Sequence, residues 1–188
     1  SKAAQAGLPD IQFDYILFAD NGRLRHVGYK KRYAFIEGFL KRARKILKPH
    51  NTIISADVFG RIPLNRNDLI GQRMEGLAPV VDIISPMAYP SHYTWSRKLM
   101  SDPRHTVYIT SHKGKKRVAG QAEIVSWIQG FKYKYRYSKH SFVGYIKAQI
   151  QAVEQAKIRG FLVWNAAQRY GPVFRALRSY YSDPKRKE

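Results

Sequence analysis

Ser55-Ala-Asp-Val-Phe-Gly60 closes a segment, from Thr52 to Phe59, that is rich in β-branched residues, ends on an aromatic and carries one carboxylate. Such a run predicts a short buried strand, and Gly60 stops it. Burying a carboxylate is costly unless it is paired or has a chemical task, so Asp57 is read either as a working group or as a hydrogen-bonded structural one. Towards the N-terminus, Ile11-Gln-Phe-Asp-Tyr-Ile-Leu-Phe18 repeats the pattern with Asp14 as its one carboxylate, and Asp20-Asn21-Gly22 follows as a turn. Between the two strands, Phe35, Ile36, Phe39, Leu40, Ala43, Ile46 and Leu47 recur at helical spacing among lysines and arginines, which predicts an amphipathic helix over Tyr33–Leu47 closed by Pro49.

Towards the C-terminus the alternation continues. Asp68 is placed to cap a helix running to about Ala78, and Val80–Ile84 reads as a third strand stopping at Ser85-Pro86. An aromatic loop, Met87 to Trp95, follows it. From Arg97 to Gly120 the periodicity is weak: Val107, Tyr108 and Ile109 suit a short helix that Gly114 and the adjoining basic residues blunt. Glu123–Phe131 is the fourth predicted strand, Ser141–Lys157 a helix, Phe161–Trp164 the fifth strand and Pro172–Tyr180 a last helix. Strands alternating with helices predict an α/β fold with a parallel sheet. Topology leaves an open doubly wound sheet and a section of a barrel as alternatives, and no G-x-G-x-x-G follows the first strand to suggest a dinucleotide site.

The 188 residues, 44% apolar and 13% aromatic, suffice for one domain with a core, but a complete eight-unit barrel usually needs around 250. The 34 Lys and Arg against 13 Asp and Glu give +21, a field that attracts polyanions of any chemistry, nucleic acid and acidic envelope polymers alike. With no cysteine there is no disulfide framework, thiolate metal site or cysteine nucleophile. No apolar run approaches the roughly 20 residues of a membrane span.

In parallel α/β folds chemistry gathers at the carboxyl ends of the strands. The polar and flat residues there are Gln12, Asp14 and Asp20 from the first strand, Asp57 from the second, Asp82, Tyr89, His92 and Tyr93 from the third, Trp127 and Gln129 from the fourth, and Trp164 and Asn165 from the fifth. Carboxylates, amides and aromatic rings are what a sugar site uses. Each has a plainer reading as well. Asp20 suits a turn and Asp82 a local pair, His92 can lock its own loop, and Trp127 and Trp164 can be core. No clustered histidines or carboxylates have metal-ligand spacing, so neither metal nor cofactor is expected. Lys132-Tyr-Lys-Tyr-Arg-Tyr137 alternates cations with rings, either as a shelf for a polyanion or single-stranded nucleic acid or as a solvated loop.

Gln12-Phe-Asp-Tyr-Ile16, Ser55-Ala-Asp-Val-Phe-Gly60, Ile70-Gly-Gln72, Asp82-Ile-Ile-Ser-Pro-Met87, Tyr89-Pro-Ser-His-Tyr93, Trp127-Ile-Gln-Gly-Phe131 and Val163-Trp-Asn-Ala166 resemble, in order, the motifs of a bacterial domain family regarded as glycosyl hydrolases. The resemblance implies a TIM-like (β/α)8 barrel whose fourth strand carries the Gln12–Tyr15 motif. Residues 1–181 would then be the C-terminal portion, about five βα units, with 182–188 a polar tail. The family's usual Ile-Arg-Phe-Pro is replaced here by Ile16-Leu17-Phe18-Ala19, and its Arg-Pro before Trp-Leu-Gln by Val125-Ser126.

The implied activity is glycosidic cleavage of a neutral or anionic polysaccharide by two carboxyl groups. Neighbouring strands lie about 4.8 Å apart, close to the roughly 5 Å between the carboxyls of a retaining enzyme, and Asp14 and Asp57 are the expected pair. Analogy with amylase-like barrels makes Asp14 the nucleophile and Asp57 the acid/base, and the roles are exchangeable. Gln12, Asp20, Tyr89, His92, Tyr93, Trp127, Gln129, Trp164 and Asn165 are the expected substrate contacts. An envelope or extracellular polysaccharide places the work in the periplasm or at the cell surface. Two other readings remain: a relative that binds carbohydrate or polyanion without cleaving it, and a basic nucleic-acid-binding or assembly protein. An open five-stranded piece would expose its inner face, so a preceding N-terminal half or a partner chain is expected to cover it.

Overall fold

The structure, a computed structural model, describes residues 2–19, 24 and 26–183. After a short helix α1 (Lys2–Gln5), five strands form one sheet: β1 (Asp10–Phe13), β2 (Ile53–Phe59), β3 (Ile83–Met87), β4 (Glu123–Gln129) and β5 (Gly160–Trp164). Their spatial order is β1-β2-β3-β4-β5 and every adjacent pair is parallel. Helices fill the connections: α2 (Tyr29–Leu47), α3 (Met74–Leu77), α4 (Arg97–Ser101), α5 (Pro103–Val118) and α6 (Phe142–Ala156), with α7 (Gly171–Tyr181) after β5. A doubly wound sheet must reverse its strand order, and this one never does. Right-handed crossovers in one continuous direction keep the helices on one face, and strand twist curls the sheet into a half-barrel.

Strand alternation then sorts the residues. Ile54, Ala56 and Val58 of β2 join Leu40 and Leu47 of α2, Met74 and Leu77 of α3 and Ile84 of β3 in one buried cluster. A second cluster, Ile128, Ile146, Ile150, Val153, Val173 and Ala176, lies under α6 and α7. Ser55, Asp57 and Phe59 alternate with the helix-facing residues of β2, so they point to the concave face.

Four expectations are corrected. The first strand stops at Phe13, and Asp14 to Ala19 leave it as irregular chain. Asp68 caps no helix: its carboxylate takes a two-pronged ion pair from Arg61 (2.7 and 3.1 Å) and the Ile70 N–H at 3.2 Å, and the helix begins only at Met74. Val80 and Val81 are not strand; their N–H groups return to the Leu77 carbonyl, and β3 begins three residues later and runs through Pro86 to Met87.

The blunted segment is the 16-residue helix α5, capped by Asp102, which accepts the His105 N–H, with Pro103 at its first position. Its buried face consists largely of Thr106, Thr110, Ser111 and Gly114, which a search for apolar periodicity passes over. Ser111 meets Ser126 of β4 at 2.8 Å, and Gly114 lets Ile124 and Met74 close in.

Gly60, at the end of β2, is a point of close approach: a Cβ there would overlap the Tyr93 hydroxyl and the Met87 carbonyl. Gly60→Ala is therefore expected to cost about 1–3 kcal/mol in denaturant unfolding, the range for overpacking a filled site. A loss below about 0.5 kcal/mol would mean that the contact yields freely.

Candidate active site

The carboxyl ends of the strands open on a cavity of about 290 Å³ lined by Asp14, Tyr15, Leu17, Asp57, Phe59, Gly60, Arg61, Met87, Tyr89, His92, Tyr93, Trp95, Trp127 and Trp164. Asp57 is its buried acid, 5% exposed. Its Oδ1 accepts two hydrogen bonds, from Gln12 Nε2 at 2.5 Å and from Trp127 Nε1 at 2.8 Å. Its Oδ2 has no hydrogen-bond partner among the described residues, so a proton on this carboxyl sits there, clear of both donors. Burial raises its pKa, the Trp127 and Gln12 bonds lower it, and the Asp14 and Asp10 charges raise it again, leaving it at about 6 against an ordinary 3.8.

Asp14 follows the last residue of β1, whose Phe13 is in register with Ala56, so it stands level with Asp57 on the neighbouring strand. It is exposed, and its Oδ1 accepts the Tyr15 N–H at 2.8 Å. Tyr15 has φ 55°, a left-handed conformation uncommon for an aromatic residue, and its ring is 81% exposed over the cavity mouth.

The rings form the rest of the wall. Trp127 and Trp164 meet edge to face at 6.1 Å, and Trp164 remains 47% exposed. Tyr93 tilts against Trp95 with centroids 5.1 Å apart. Burial, together with the Asp57 and Asp14 charges, holds the Tyr89 phenol strongly protonated. His92 stands at the rim against Tyr89, Phe131 and Tyr133, with Ser91 Oγ 2.9 Å from Nδ1. Desolvation and the Lys134 charge lower its pKa.

Of the residues expected at the site, Asp14, Asp57, Tyr89, His92, Tyr93, Trp127 and Trp164 line this cavity, and Gln12 reaches it through Asp57. Gln129 and Asn165, expected to bond a substrate, are placed otherwise. Gln129 is fully buried: Oε1 accepts from Ser91 N and Tyr145 Oη, and Nε2 donates to the Phe131 and Tyr133 carbonyls. Asn165 donates to the Gly130 and Arg169 carbonyls and accepts the Ala167 N–H. Both amides hold loops. The Tyr93 hydroxyl points into the core, 2.7 Å from Thr110 Oγ1, leaving only its ring to the cavity. Asp20 lies outside the described residues.

Sequence reading passed over Tyr15, Leu17, Phe59, Arg61 and Trp95 as cavity residues; for Tyr15 and Trp95, exposed aromatics in strand-end loops, the ring itself was the available signal. It also passed over Ser85, in register with Asp57, whose buried hydroxyl has no hydrogen-bond partner among the described residues. Among the described residues no three His, Asp or Glu side chains converge on a metal position. None of the described helices is long and apolar enough to cross a membrane.

Trp127→Phe keeps a ring in place and removes one of the two donors to Oδ1. The Asp57 pKa is expected to rise by about one unit more, the worth of a hydrogen bond to a charged acceptor, in a carboxyl-carbon NMR titration. An unchanged titration would show that the indole does not stabilise the carboxylate.

A singly wound half-barrel with a buried acid among aromatic rings at its strand ends places the chain in the class of (β/α)-barrel domains. Within it, the chain belongs to the family described as "Putative glycosyl hydrolase domain", which it matches over residues 1–170. A solved structure, the glycoside hydrolase domain of PgaB (BpsB) from Bordetella bronchiseptica, has the same fold at TM-score 0.56 and 14% sequence identity, over 81% of this chain and 43% of that one. The chain thus spans less than half the length of that domain. No curated protein matches the chain at a significant level.

Proposed function

We propose that this chain forms the acid-bearing part of a glycoside hydrolase site acting on a polysaccharide by a retaining, two-carboxyl mechanism. One observation carries the reading: a buried carboxyl with a pKa of about 6 lining the cavity, its Oδ1 held by Trp127 and Gln12 and its Oδ2 without a hydrogen-bond partner among the described residues. An acid of that strength still holds its proton at mildly acidic pH and can give it to a leaving group. Asp57 Oδ2–H protonates the glycosidic oxygen as the bond to C1 breaks. Asp14 attacks C1 from the opposite face and forms a glycosyl ester. Asp57, now ionised, takes a proton from water, and the hydroxide equivalent displaces Asp14 from C1 with net retention.

Trp127, Trp164, Trp95 and Tyr15 supply flat apolar faces for sugar rings, and the protonated Tyr89 phenol, which lines the same cavity, is a donor for a sugar oxygen. The solved domain is more than twice as long as the part matched here, so a further wall along the β1 and β5 edges, from a preceding segment or a partner chain, belongs to the proposal. A substrate of the envelope or exterior belongs to the same proposal, with the periplasm or cell surface as the site of action.

The test is release of reducing ends from a polysaccharide panel by the native chain, with Asp14→Gly assayed with and without azide. The expected result is a loss of at least about 100-fold in Asp14→Gly and recovery by azide as a glycosyl azide of inverted configuration, which identifies the nucleophile. A product of retained configuration would exchange the two roles. Tight binding with no turnover by the native chain would favour a carbohydrate-binding relative that does not cleave.

A further inference from the structure

The loop after β4 has features the reaction above does not use. Residues 132–137 are Lys-Tyr-Lys-Tyr-Arg-Tyr, and the stretch from 124 to 153 contains no Asp or Glu. Lys132, Lys134, Arg136 and Lys139 make no ion pair among the described residues. Lys134 Nζ lies over the Tyr133 ring at 5.0 Å and Lys132 Nζ over Phe142 at 5.9 Å.

The loop is built rather than loose. Buried Gln129 holds the Phe131 and Tyr133 carbonyls at 2.9 and 2.8 Å, and Tyr135 wedges its ring against Phe142 and Tyr145. Lys134 and Lys139 take left-handed φ angles of 51° and 58°, a strained choice for lysine that brackets the turn between them. The loop joins the cavity directly, since Tyr133 and Phe131 pack on His92 at its rim. Cations fixed beside exposed rings, contiguous with a sugar-sized cleft and with no carboxylate of their own, suit a ligand that brings carboxylates on a saccharide chain.

We propose that residues 132–137 form an acidic-sugar subsite, so that the substrate is a carboxylate-bearing polysaccharide whose chain runs from the Asp57 cavity over His92 and Tyr133 to Lys132, Lys134 and Arg136. The inference rests on the carbohydrate reading of the cleft and names its substrate class. Tyr133 stacks on a ring while the lysines and the arginine meet its carboxylates.

The test is binding, so that it does not depend on turnover. Asp57→Asn protein is titrated with polygalacturonate, with the same polymer fully methyl-esterified, and with poly(U). Binding to polygalacturonate is expected to weaken as salt rises, and to weaken at least 10-fold in Lys132→Gln/Lys134→Gln/Arg136→Gln, with the esterified polymer bound at least 10-fold more weakly than the acid. Lys113→Gln/Lys115→Gln/Lys116→Gln removes the same charge from the end of α5 that precedes β4, roughly 20 Å away along the strand, and is expected to change binding less than 2-fold. Equal losses in the two triple variants reduce the effect to net charge and overturn the subsite. Loop-dependent binding of poly(U) as tight as that of polygalacturonate overturns it in favour of nucleic acid. Equal binding of acid and ester overturns the acidic class alone. Loop-dependent binding of polygalacturonate with no hydrolysis of any polymer of the panel by the native chain leaves the subsite standing and removes the hydrolase reading.

Discussion

Asp57→Asn is expected to cut the proposed turnover sharply and, above pH 6, to make the fold harder to unfold. The two effects have one origin. Asp57 is raised from 3.8 to about 6 in the folded chain, so the native state holds this proton more tightly than the unfolded chain does. The resulting stability is fully present below pH 3.8 and is lost as the pH rises through about 6. A shift of about two units corresponds to at most about 3 kcal/mol, and solvent reaching the cavity reduces this. Asparagine keeps the oxygen that Trp127 and Gln12 donate to and cannot ionise. The stability of the variant relative to the native chain should therefore climb between pH 4 and 6.5 and then level off, as read by urea unfolding across that range. Turnover should fall on the order of 100- to 10,000-fold, the usual contribution of a general acid. Parallel stability–pH curves for the two proteins would show that the proton is not held as described.

Arg32→Met is expected to lower stability by on the order of 3 kcal/mol, about 6–12 °C in Tm for a chain of this size, and to loosen the site without touching it. Arg32 sits in the first turn of α2 and is fully buried. Its guanidinium donates to the Val27 and Ala19 carbonyls at 2.8 and 3.0 Å, and also to those of Leu24 and Leu69, and it lies 5.5 Å from the Phe18 ring. These carbonyls belong to the chain following Asp14 and to the connection after β2, so one side chain ties together the loops that follow β1 and β2. The packing there is close: Gly71, at φ +79°, would press a Cβ on both Phe18 and Arg32. Arg32→Lys should recover less than half of the loss, because an ammonium cannot reach four acceptors spread around a planar fork. A lysine variant as stable as the native chain would show that the charge, and not the fork, is what the loops need.

The strand and helix alternation was legible in the sequence because it is written locally. Apolar residues at a spacing of two or of three and four, with Gly and Pro between, mark β2, α2, α6 and β5 within a residue or a few. Where the buried face is not apolar the signal fails: α5 meets Ser126 with Ser111 and the Tyr93 hydroxyl with Thr110, and composition reads those residues as loop. The apolar run begins three residues ahead of the third strand for a related reason. Val80 and Val81 are buried in a turn, and burial alone does not distinguish a strand from the end of a helix.

The candidate site divides along the same line. Asp14 and Asp57 stood out as carboxylates in apolar strands, and a pattern of alternating residues was enough to set both at strand ends. Gln129 and Asn165 looked identical to substrate-binding amides, and their partners, the carbonyls of Gly130, Phe131 and Tyr133, exist only once β4 and β5 are side by side. The proton affinity of Asp57 is raised by burial in the folded sheet and then lowered by hydrogen bonds from Trp127 and Gln12, 70 and 45 residues away along the chain. Local sequence dictates which segments form strands and which of their residues share a face, because those choices depend on neighbours within a few positions. Which amide holds a loop, which carboxyl keeps its proton and which ring is left bare for a ligand depend on distances between remote segments, and the folded sheet sets those distances.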